Sequence, residues 1–251
     1  MTEPRRHHYL PEFYLRRWAA EGMVWRFLRP RGPNSSVHAK RVAPKSVGFR
    51  KHLYSYPRPE NPAHQETIER EFLQIIDSKG AAALSKVEAN QPLAPNDKAA
   101  LSQFVLSLMH RSPGRIDFIT KELGRRIANP AWTAPDDFVR HHALSLFSEL
   151  VASDLMISGM IKMLPFIINI GDHKNALLTS DRPTIISDGL HHDNSFVMLP
   201  IAPRRLLLLA HREEVPEAFA IQKTGALITA LNDAIVSQAE GLVIGSRVRT
   251  H

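Results

Sequence analysis

Reactive side chains are concentrated close to the start of the sequence. Residues 5–19 read RRHHYLPEFYLRRWA and contain two histidines, two tyrosines and four arginines. A neutral imidazole can act as a general base or a metal ligand near pH 7. In an extended segment His7 and His8 point to opposite faces, so only one of them enters a given pocket. We take His8 as the catalytic candidate, and the structural alternative is a histidine that only fixes the docked terminus.

Tyr14 and Arg17 are substrate-binding candidates on the helix that this segment is expected to form. Arg17 follows Tyr14 by three positions, a spacing that makes two side chains neighbours on a helix. A guanidinium matches a phosphate or a carboxylate through two parallel hydrogen bonds. The alternative is a solvated helix face on which the arginine stems cover Trp18.

A carboxylate and a further arginine are candidates later in the chain. Asp181 follows the apolar run ALLTS and precedes an Arg-Pro pair, which places it at the exit of a strand, where active-site residues are frequent. An Asx turn that simply ends the strand is the alternative. Arg111 is expected at the end of a helix, from which a long donor reaches a ligand. A cation at that position also stabilises the helix without any further role.

Other histidine pairs and the known motifs give weaker signals. His191 or His192 with Asp193 could bind a divalent metal, but this spacing matches no standard metal motif. The pair at 141–142 lies inside a predicted helix, where the two side chains diverge. The sequence contains no Walker loop, no G-x-G-x-x-G and no G-x-S-x-G, which disfavours kinases, P-loop NTPases, Rossmann dehydrogenases and standard α/β-hydrolases. The cofactor is unknown, and a divalent metal is the one candidate.

Apolar spacing predicts the elements that carry the N-terminal candidates. A short helix is expected from Pro11 to about Gly22, because a proline suits the first helical position and a glycine suits the end. Three strands are expected over 23–30, 37–42 and 53–56. Residues 1–60 are therefore predicted to be a β-rich subregion with one short helix.

The order of the remaining elements predicts a single α+β domain over residues 1–251. Apolar residues recur at three- and four-residue spacing through 61–162, which predicts a helical bundle; Asn96 is the expected N-cap of one of its helices. Residues 163–251 are predicted to form mainly antiparallel strands with one late helix over 225–240. Strands and helices do not alternate regularly, which disfavours a doubly wound parallel sheet. The last strand is expected to join the N-terminal sheet.

Composition and charge narrow the function classes. The chain has 251 residues, with 32 Lys and Arg against 25 Asp and Glu, a formal net charge of +7. A field of this sign attracts nucleic acid or nucleotides. The sequence has no cysteine, which excludes disulfides, thiolate catalysis and cysteine-bound zinc. We recognise neither a secretory signal nor a bilayer-spanning stretch, so we expect a cytoplasmic protein with no membrane partner and leave its oligomeric state open.

Ordered sequence blocks resemble a known family. These blocks are HHYLPEFYLRRWA, KSVGFRKHLYS, IEREFLQIID, HRSPGR, LLTSDRPTI and FVMLPIAPRRLLLL. They are similar to the DUF4238 family of proteins of unknown function, from about His7 to the C-terminus. The resemblance implies one continuous domain and no established activity.

The same resemblance marks residues for testing. These are His7, His8, Tyr9, Pro11, Tyr14, Leu15, Arg16 or Arg17, Lys51, Tyr54, Glu69, Arg111, Pro113, Asp181 and Pro183. Two positions depart from the family pattern. Asp77 stands where a glutamate is expected, and His110 stands where a neutral polar residue is expected.

Two functional hypotheses follow from these candidates. In the first, the protein is an enzyme that acts on a phosphate-bearing substrate, a nucleotide or nucleic acid, by nuclease-like hydrolysis. His8 and Asp181 then handle protons or a divalent metal. The substrate-binding candidates are Tyr14, Arg17, Tyr54 and Arg111. In the second, the protein is a non-catalytic module that binds nucleic acid or a protein partner through its basic surface.

Overall fold

The described chain contains three antiparallel sheets and a block of helices. The computed structural model describes residues 6–28, 36–59, 64–128, 134–212 and 224–246, together with residues 214, 215 and 219. A small N-terminal sheet is followed by central helices, C-terminal antiparallel strands and a late helix. The predicted α+β class is confirmed.

The strands pair antiparallel throughout the described residues. They are β1 (Arg6–His8), β2 (Val24–Leu28), β3 (His38–Val42), β4 (Phe49–Lys51), β5 (Leu164–Asn169), β6 (Thr179–Ser180), β7 (Ile185–Ile186), β8 (Phe196–Ala202), β9 (Arg205–Ala210) and β10 (Leu242–Gly245). The spatial orders are β1-β4, β3-β2-β10-β6 and β5-β9-β8-β7. In the first sheet His7 lies opposite Arg50.

The helices between and after these strands form the central block and one late element. The α-helices are α1 (Glu12–Leu15), α2 (Gln74–Glu88), α3 (Pro95–His110), α4 (Pro113–Ile127), α5 (Asp136–Ala152), α6 (Asp154–Ile161) and α7 (Thr224–Gln238). Short 3₁₀ turns cover Arg16–Trp18 and Pro44–Ser46. A π-helical turn over Ile68–Leu73 runs directly into α2.

The last strand returns to the N-terminal sheet, as the sequence predicts. β10 lies between β2 and β6, and Ile244 stands opposite Arg26 on one side and Thr179 on the other. Ile244 is fully buried. This pairing joins the early strand β2 to the last strand, so the N-terminal part of the chain lies next to the later β half.

Side chains of the first helical turns fix the opening segment to that later half. Tyr14 and Trp18 are fully buried. The Tyr14 hydroxyl donates to the Pro200 carbonyl at 2.6 Å and lies 2.7 Å from Thr179 Oγ1. Trp18 Nε1 donates to the Leu177 carbonyl at 3.1 Å. Buried hydrogen bonds of this kind are costly to leave unmade, so they hold the N-terminal segment in one position.

Two predicted boundaries near the N-terminus are wrong for local reasons. No strand covers 53–56, because His52 has a φ of 53° and turns the chain after β4. The first helical segment ends at Trp18 instead of near Gly22, because Ala19 is already extended with a ψ of 130°. Both differences come from single backbone conformations that apolar spacing does not encode.

Two further boundaries differ in the helical block. α3 begins at Pro95, and the Asp97 carboxylate accepts the Ala94 N–H at 3.0 Å, so Asn96 is not the N-cap. A proline at the first helical position costs no hydrogen bond, which explains this start. The described part of the preceding helical segment begins at Ile68. Its expected start within 61–63 lies outside the described residues.

One stretch of the helical block is long and apolar enough to cross a membrane by length and composition only. This stretch is Asp136–Ile161, with a mean hydropathy of 1.5. Core helices of soluble proteins satisfy the same test. Ser153 has a ψ of 118° and divides the stretch into α5 and α6, and the inner face of α5 buries Ala143, Leu144 and Phe147. The stretch is therefore weak evidence for a membrane span.

Close packing between α2 and α3 provides a test of this arrangement. A Cβ atom added at Gly80 would lie 2.4 Å from the Phe104 Cβ, so Gly80→Ala must push the two helices apart. We expect the free energy of unfolding to fall by about 1–3 kcal/mol in urea denaturation. Gly124→Ala is the matched control, because its Cβ would lie 3.4 Å from Val139 and alanine favours helix by up to about 1 kcal/mol. Equal stability of the two variants would contradict this packing.

Candidate functional site

A fully buried guanidinium lies at the centre of the site. Arg111 directly follows α3 and is 0% exposed. Its Nε donates to the Tyr9 carbonyl at 2.9 Å, and its Nη1 donates to Asp77 Oδ1 at 2.8 Å. Its Nη2 is buried and has no hydrogen-bond partner among the described residues. Buried charges normally have every donor satisfied, so Nη2 is a donor that a bound anion can use.

Glu69 supplies a buried carboxyl group beside this guanidinium. The side chain is 7% exposed, and the backbone N–H of His8 donates to it. Its Oε2 is buried without a partner in the described part of the chain. Burial raises the pKa of Glu69 from 4.5 to about 7, although the Arg111 charge and the His8 N–H oppose the shift. A large fraction of Glu69 is therefore protonated at neutral pH and can donate a proton.

His8 supplies an imidazole in the same cluster. Its ring hydrogen bonds to the backbone of Lys45, while Nε2 is buried and has no partner among the residues described. The bond to Lys45 therefore uses Nδ1, which carries the proton and leaves a lone pair on Nε2. Burial lowers the pKa of His8, and the Arg111 charge lowers it further against the opposing effects of Glu12 and Asp77. His8 is therefore a neutral acceptor at pH 7.

We call His8, Glu69, Asp77 and Arg111 the acid–base cluster. Their charges act on one another: Arg111 and Asp77 each influence the pKa of both His8 and Glu69. Three of the four residues carry a buried polar atom without a partner in the described chain. The cluster therefore combines a proton acceptor, a proton donor and a cation in one enclosed place, which is the equipment for general acid–base catalysis on an anion.

A π-helical turn positions the carboxyl group. The turn over Ile68–Leu73 buries Ile68, Glu69 and Leu73 on one side. Apolar spacing predicts a regular helix here, in which each turn contains 3.6 residues. Hydrogen bonds in a π-helical turn span one more residue, i→i+5, which changes the angular positions of the side chains, and such turns are frequent at functional sites. The π-helical turn thus explains why the Glu69 carboxylate lies on the same face as the core residues Ile68 and Leu73.

Paired side chains hold β1 next to the cluster. His7 is fully buried; its Nδ1 accepts the Tyr54 N–H at 2.9 Å, and its Nε2 contacts the Glu66 carboxylate. Ser55 Oγ donates to Glu66 Oε1 at 2.7 Å. Glu66 is 2% exposed, so the His7–Glu66 contact and its neighbouring hydrogen bonds are buried. His7 therefore anchors the strand that presents His8.

Tyr54, a predicted substrate-binding residue, lies in the wall behind the cluster. Its ring is fully buried and stacks between His7 at 5.7 Å and Phe147 at 5.6 Å. Its hydroxyl donates to the Arg111 carbonyl at 2.5 Å. These contacts position the main chain of Arg111, while the substrate-binding role of Tyr54 stays a prediction.

Two other predicted binding residues lie away from the cluster. The Tyr14 hydroxyl is engaged with β6 and β8. Arg17 Nε donates to the Ile201 carbonyl at 2.7 Å, and its Nη2 pairs with Glu88. Glu88 also pairs with Arg205 at 3.0 Å. The structure therefore brings His8 and Arg111 together. Tyr14 and Arg17 instead form the contacts that fix the opening segment to the later β half.

Asp181, the predicted catalytic carboxylate, binds the turn that leads into β10. Its Oδ1 accepts the Glu240 N–H and its Oδ2 accepts the Leu242 N–H, both at 2.9 Å. Burial raises the pKa of Asp181. The Asp181 charge influences the pKa of Tyr9, whose carbonyl accepts a hydrogen bond from Arg111. Its catalytic role stays a prediction, and its contacts are those of a residue that closes a turn.

No set of three or more His, Cys, Asp or Glu side chains suited to hold a metal ion occurs within the described ranges. The predicted loop pair includes His192, whose Nδ1 accepts the Asn194 N–H at 3.2 Å. The neighbouring His191 ring packs against Gly159. A divalent metal therefore stays a hypothesis without a ligand set in this part of the chain.

The sequence predicts two of the four residues of the acid–base cluster as site residues. His8 and Arg111 were candidates, whereas Glu69 was marked only by the family resemblance and Asp77 only as a departure from it. Glu69 and Asp77 lie in a segment whose apolar spacing predicts a buried helix face. A carboxylate that is buried with such a face requires a partner. The partner, Arg111, lies 34 residues after Asp77.

Comparison with known proteins yields one match. A family model described as a protein of unknown function (DUF4238) matches residues 6–248. No curated protein and no solved structure matches the chain. The blocks quoted from the sequence are thus parts of one family that covers nearly all of the chain.

The raised pKa of Glu69 has a measurable effect on stability. Because the native pKa lies above the value of 4.5 for an unfolded chain, the unfolded state loses its proton first and stability falls as pH rises from about 4.5 to 7. We expect Glu69→Gln to raise the free energy of unfolding on the order of 3 kcal/mol at pH 8 and to change it little at pH 4. Urea denaturation at both pH values measures this difference.

The control for this measurement is Glu71→Gln. It removes the same charge from the same helical turn at an exposed position. We expect no comparable gain in stability. A Glu69→Gln variant no more stable than wild type at pH 8 would show that the carboxylate is compensated in the folded protein.

Proposed function

The chain belongs to the DUF4238 family of proteins of unknown function, and we propose that it is an enzyme that hydrolyses a phosphate ester of a nucleotide or nucleic acid. The observation that carries this proposal is the set of three buried polar atoms in the acid–base cluster. They are His8 Nε2, Glu69 Oε2 and Arg111 Nη2, each without a partner in the described chain. Buried polar atoms without a partner are uncommon in protein cores, and three of them in one cluster support a functional role.

The charges of the cluster favour a phosphate group. Arg111 has one donor paired with Asp77 and one donor available. A protonated Glu69 supports anion binding because it donates a hydrogen bond and adds no negative charge. The net charge of +7 on the whole chain attracts anionic substrates toward the protein.

Each side chain has one role in the proposed hydrolysis. Arg111 Nη2 donates to a non-bridging phosphate oxygen and stabilises the charge that develops on it. Water attacks phosphorus, forms the new P–O bond and gives its proton to His8 Nε2. The P–O bond to the leaving group breaks, and the leaving oxygen takes the proton of Glu69. Proton exchange with solvent then returns His8 to its neutral form and Glu69 to its protonated form.

The order of the two pKa values suits this mechanism. The base, His8, has a pKa below 6.5, and the acid, Glu69, has a pKa of about 7. Between these values a neutral His8 and a protonated Glu69 coexist as the predominant forms. An acid and a base with the opposite order would be in their productive forms together only in a small fraction of molecules.

Isosteric variants test the roles of the acid and the base. His8→Asn keeps a group able to donate to Lys45 and removes Nε2, and Glu69→Gln removes the acidic proton. We expect each variant to lower kcat by about 10²- to 10⁴-fold on RNA, DNA or nucleotide substrates, assayed with and without Mn²⁺. Because Glu69→Gln is also expected to be more stable than wild type, its loss of activity cannot result from unfolding. Activity equal to wild type in both variants would overturn the proposal.

Asp181→Asn distinguishes the catalytic role predicted from the sequence from the turn-closing role that its contacts support. Asparagine loses one of the two acceptors for the Glu240 and Leu242 N–H groups. In the turn-closing role the variant unfolds more easily by about 1–3 kcal/mol and keeps its turnover below its melting temperature. In the catalytic role turnover is lost.

The mechanism also predicts a bell-shaped dependence of kcat/KM on pH. Activity falls at low pH as His8 takes up a proton, with a midpoint below 6.5. Activity falls at high pH as Glu69 loses its proton, with a midpoint near 7. Initial rates from pH 4.5 to 9 measure both limbs. The alkaline limb should disappear from the residual activity of Glu69→Gln; persistence of that limb would assign it to another group.

A non-catalytic binding module is the second candidate. β3 supports it, because His38, Lys40 and Arg41 are exposed along one edge of a sheet. A module of this kind would bind nucleic acid with an affinity that falls steeply with salt and would show no turnover. A wild-type protein that hydrolyses none of the substrates, yet binds nucleic acid with this salt dependence, would favour the binding module.

A further inference from the structure

A surface cluster of rings lies where α5 meets the loop that follows β4. The His141 ring packs on Tyr56 with centroids 4.7 Å apart, and His142 lies 5.6 Å from His141. Phe138 contacts His142 at 4.2 Å. We call Tyr56, Phe138, His141 and His142 the aromatic patch. His141 and His142 are exposed and Phe138 is 43% exposed, so the patch presents ring atoms at the surface.

Helical spacing places the patch on the outer side of α5. Residues 138, 141 and 142 are three and four positions apart, which puts them on one face. The other face packs into the core through Val139, Ala143 and Phe147, which are buried. The exposed rings of His141 and His142 therefore lie on the side of α5 away from this buried face.

The chemistry of the patch fits a planar ligand that is polar and negatively charged. Imidazole and phenol rings stack on nucleobases and carry hydrogen-bonding groups at their edges. Arg58, whose side chain is 90% exposed, pairs at 2.9 Å with Asp137, the residue before Phe138. An aliphatic partner would match neither the polar ring edges nor the adjacent cation. A nucleobase with its attached phosphate matches both.

A short segment joins the patch to the region of the acid–base cluster. The Tyr56 N–H donates to the Gln65 carbonyl at 2.9 Å, and the next residue, Glu66, contacts His7. Tyr54, two positions before Tyr56, stacks on the same His7 ring with an angle of 7° between the planes. Within residues 54–56, Tyr56 thus belongs to the patch, and Tyr54 packs on His7 in the strand that also carries His8.

We infer that the aromatic patch binds the nucleobase of a nucleotide or of single-stranded nucleic acid. The base stacks on the rings of Tyr56 and His141, and the phosphate lies toward the exposed Arg58 guanidinium. Stacking of this kind accepts every base, because each has a π-face. Base binding by the patch does not rest on the proposed function.

Equilibrium binding to the full-length protein tests this inference. The probes are AMP and ribose 5-phosphate, which carries the same phosphate without a base. We expect AMP to bind about tenfold tighter or more, and Tyr56→Leu and His141→Ala each to weaken AMP binding about tenfold while leaving ribose 5-phosphate binding unchanged. Phe118→Ala is the matched control: its ring is 56% exposed on α4 and contacts Arg115 at 5.3 Å. It should change neither affinity.

The outcomes separate this inference from the proposed function. Equal affinities for the two probes, no measurable binding of AMP, or an unchanged affinity in both patch variants would overturn base binding by the patch. Turnover that does not depend on Glu69 or His8, with tight and patch-dependent AMP binding, would overturn the proposed hydrolysis alone. Base selectivity carried by Phe118 instead of the patch would place the stacking surface on α4.

Discussion

Burial of the Arg111 guanidinium is the constraint on which the rest of the site depends. Removing a cation from water costs several kcal/mol unless charges and hydrogen bonds compensate it. The compensation comes from Tyr9 beside β1 and from Asp77 in α2. The Arg111 carbonyl in turn accepts the Tyr54 hydroxyl. One buried charge thus ties together the opening strand, the first long helix and the loop after β4.

The adjacent residues His7 and His8 have different surroundings in the fold. His7 is fully buried with both ring nitrogens engaged, one by the Tyr54 N–H and one by Glu66. His8 has one nitrogen engaged and the other buried without a partner among the described residues. Neighbours on a strand point to opposite faces. The three-residue strand β1 is therefore held in place by His7 on one face and presents the His8 acceptor on the other.

Burial of the Glu69 carboxyl group lowers the stability of the folded protein. A carboxyl group whose pKa is raised to about 7 by burial makes the folded protein less stable at neutral pH than a neutral isostere would. The π-helical turn that carries Glu69 is likewise less favourable than regular helix. Natural proteins depart from the rules of good packing mainly where function requires it. Both departures occur at the same residue, next to the buried cation.

The sequence by itself determined the order of the elements and the α+β class, because apolar spacing reports which face of a helix or strand is buried. Residue type and position also predict His8 in the opening segment and Arg111 at a helix end as site candidates. The fold decided which candidates meet. Tyr14 and Arg17 have the same chemistry as site residues, yet their partners are Thr179, Ile201 and Glu88, far along the chain.

Only the tertiary structure assigned Glu69 and Asp77 to the site. Helical spacing gives the direction of a side chain within its own helix but not the group that faces it from another element. The π-helical turn alters that direction locally, and the positive φ of His52 redirects the loop after β4. A raised or lowered pKa depends on burial and on charges contributed by distant segments. Residue types were therefore readable from the sequence, whereas their protonation states and their grouping required the folded chain.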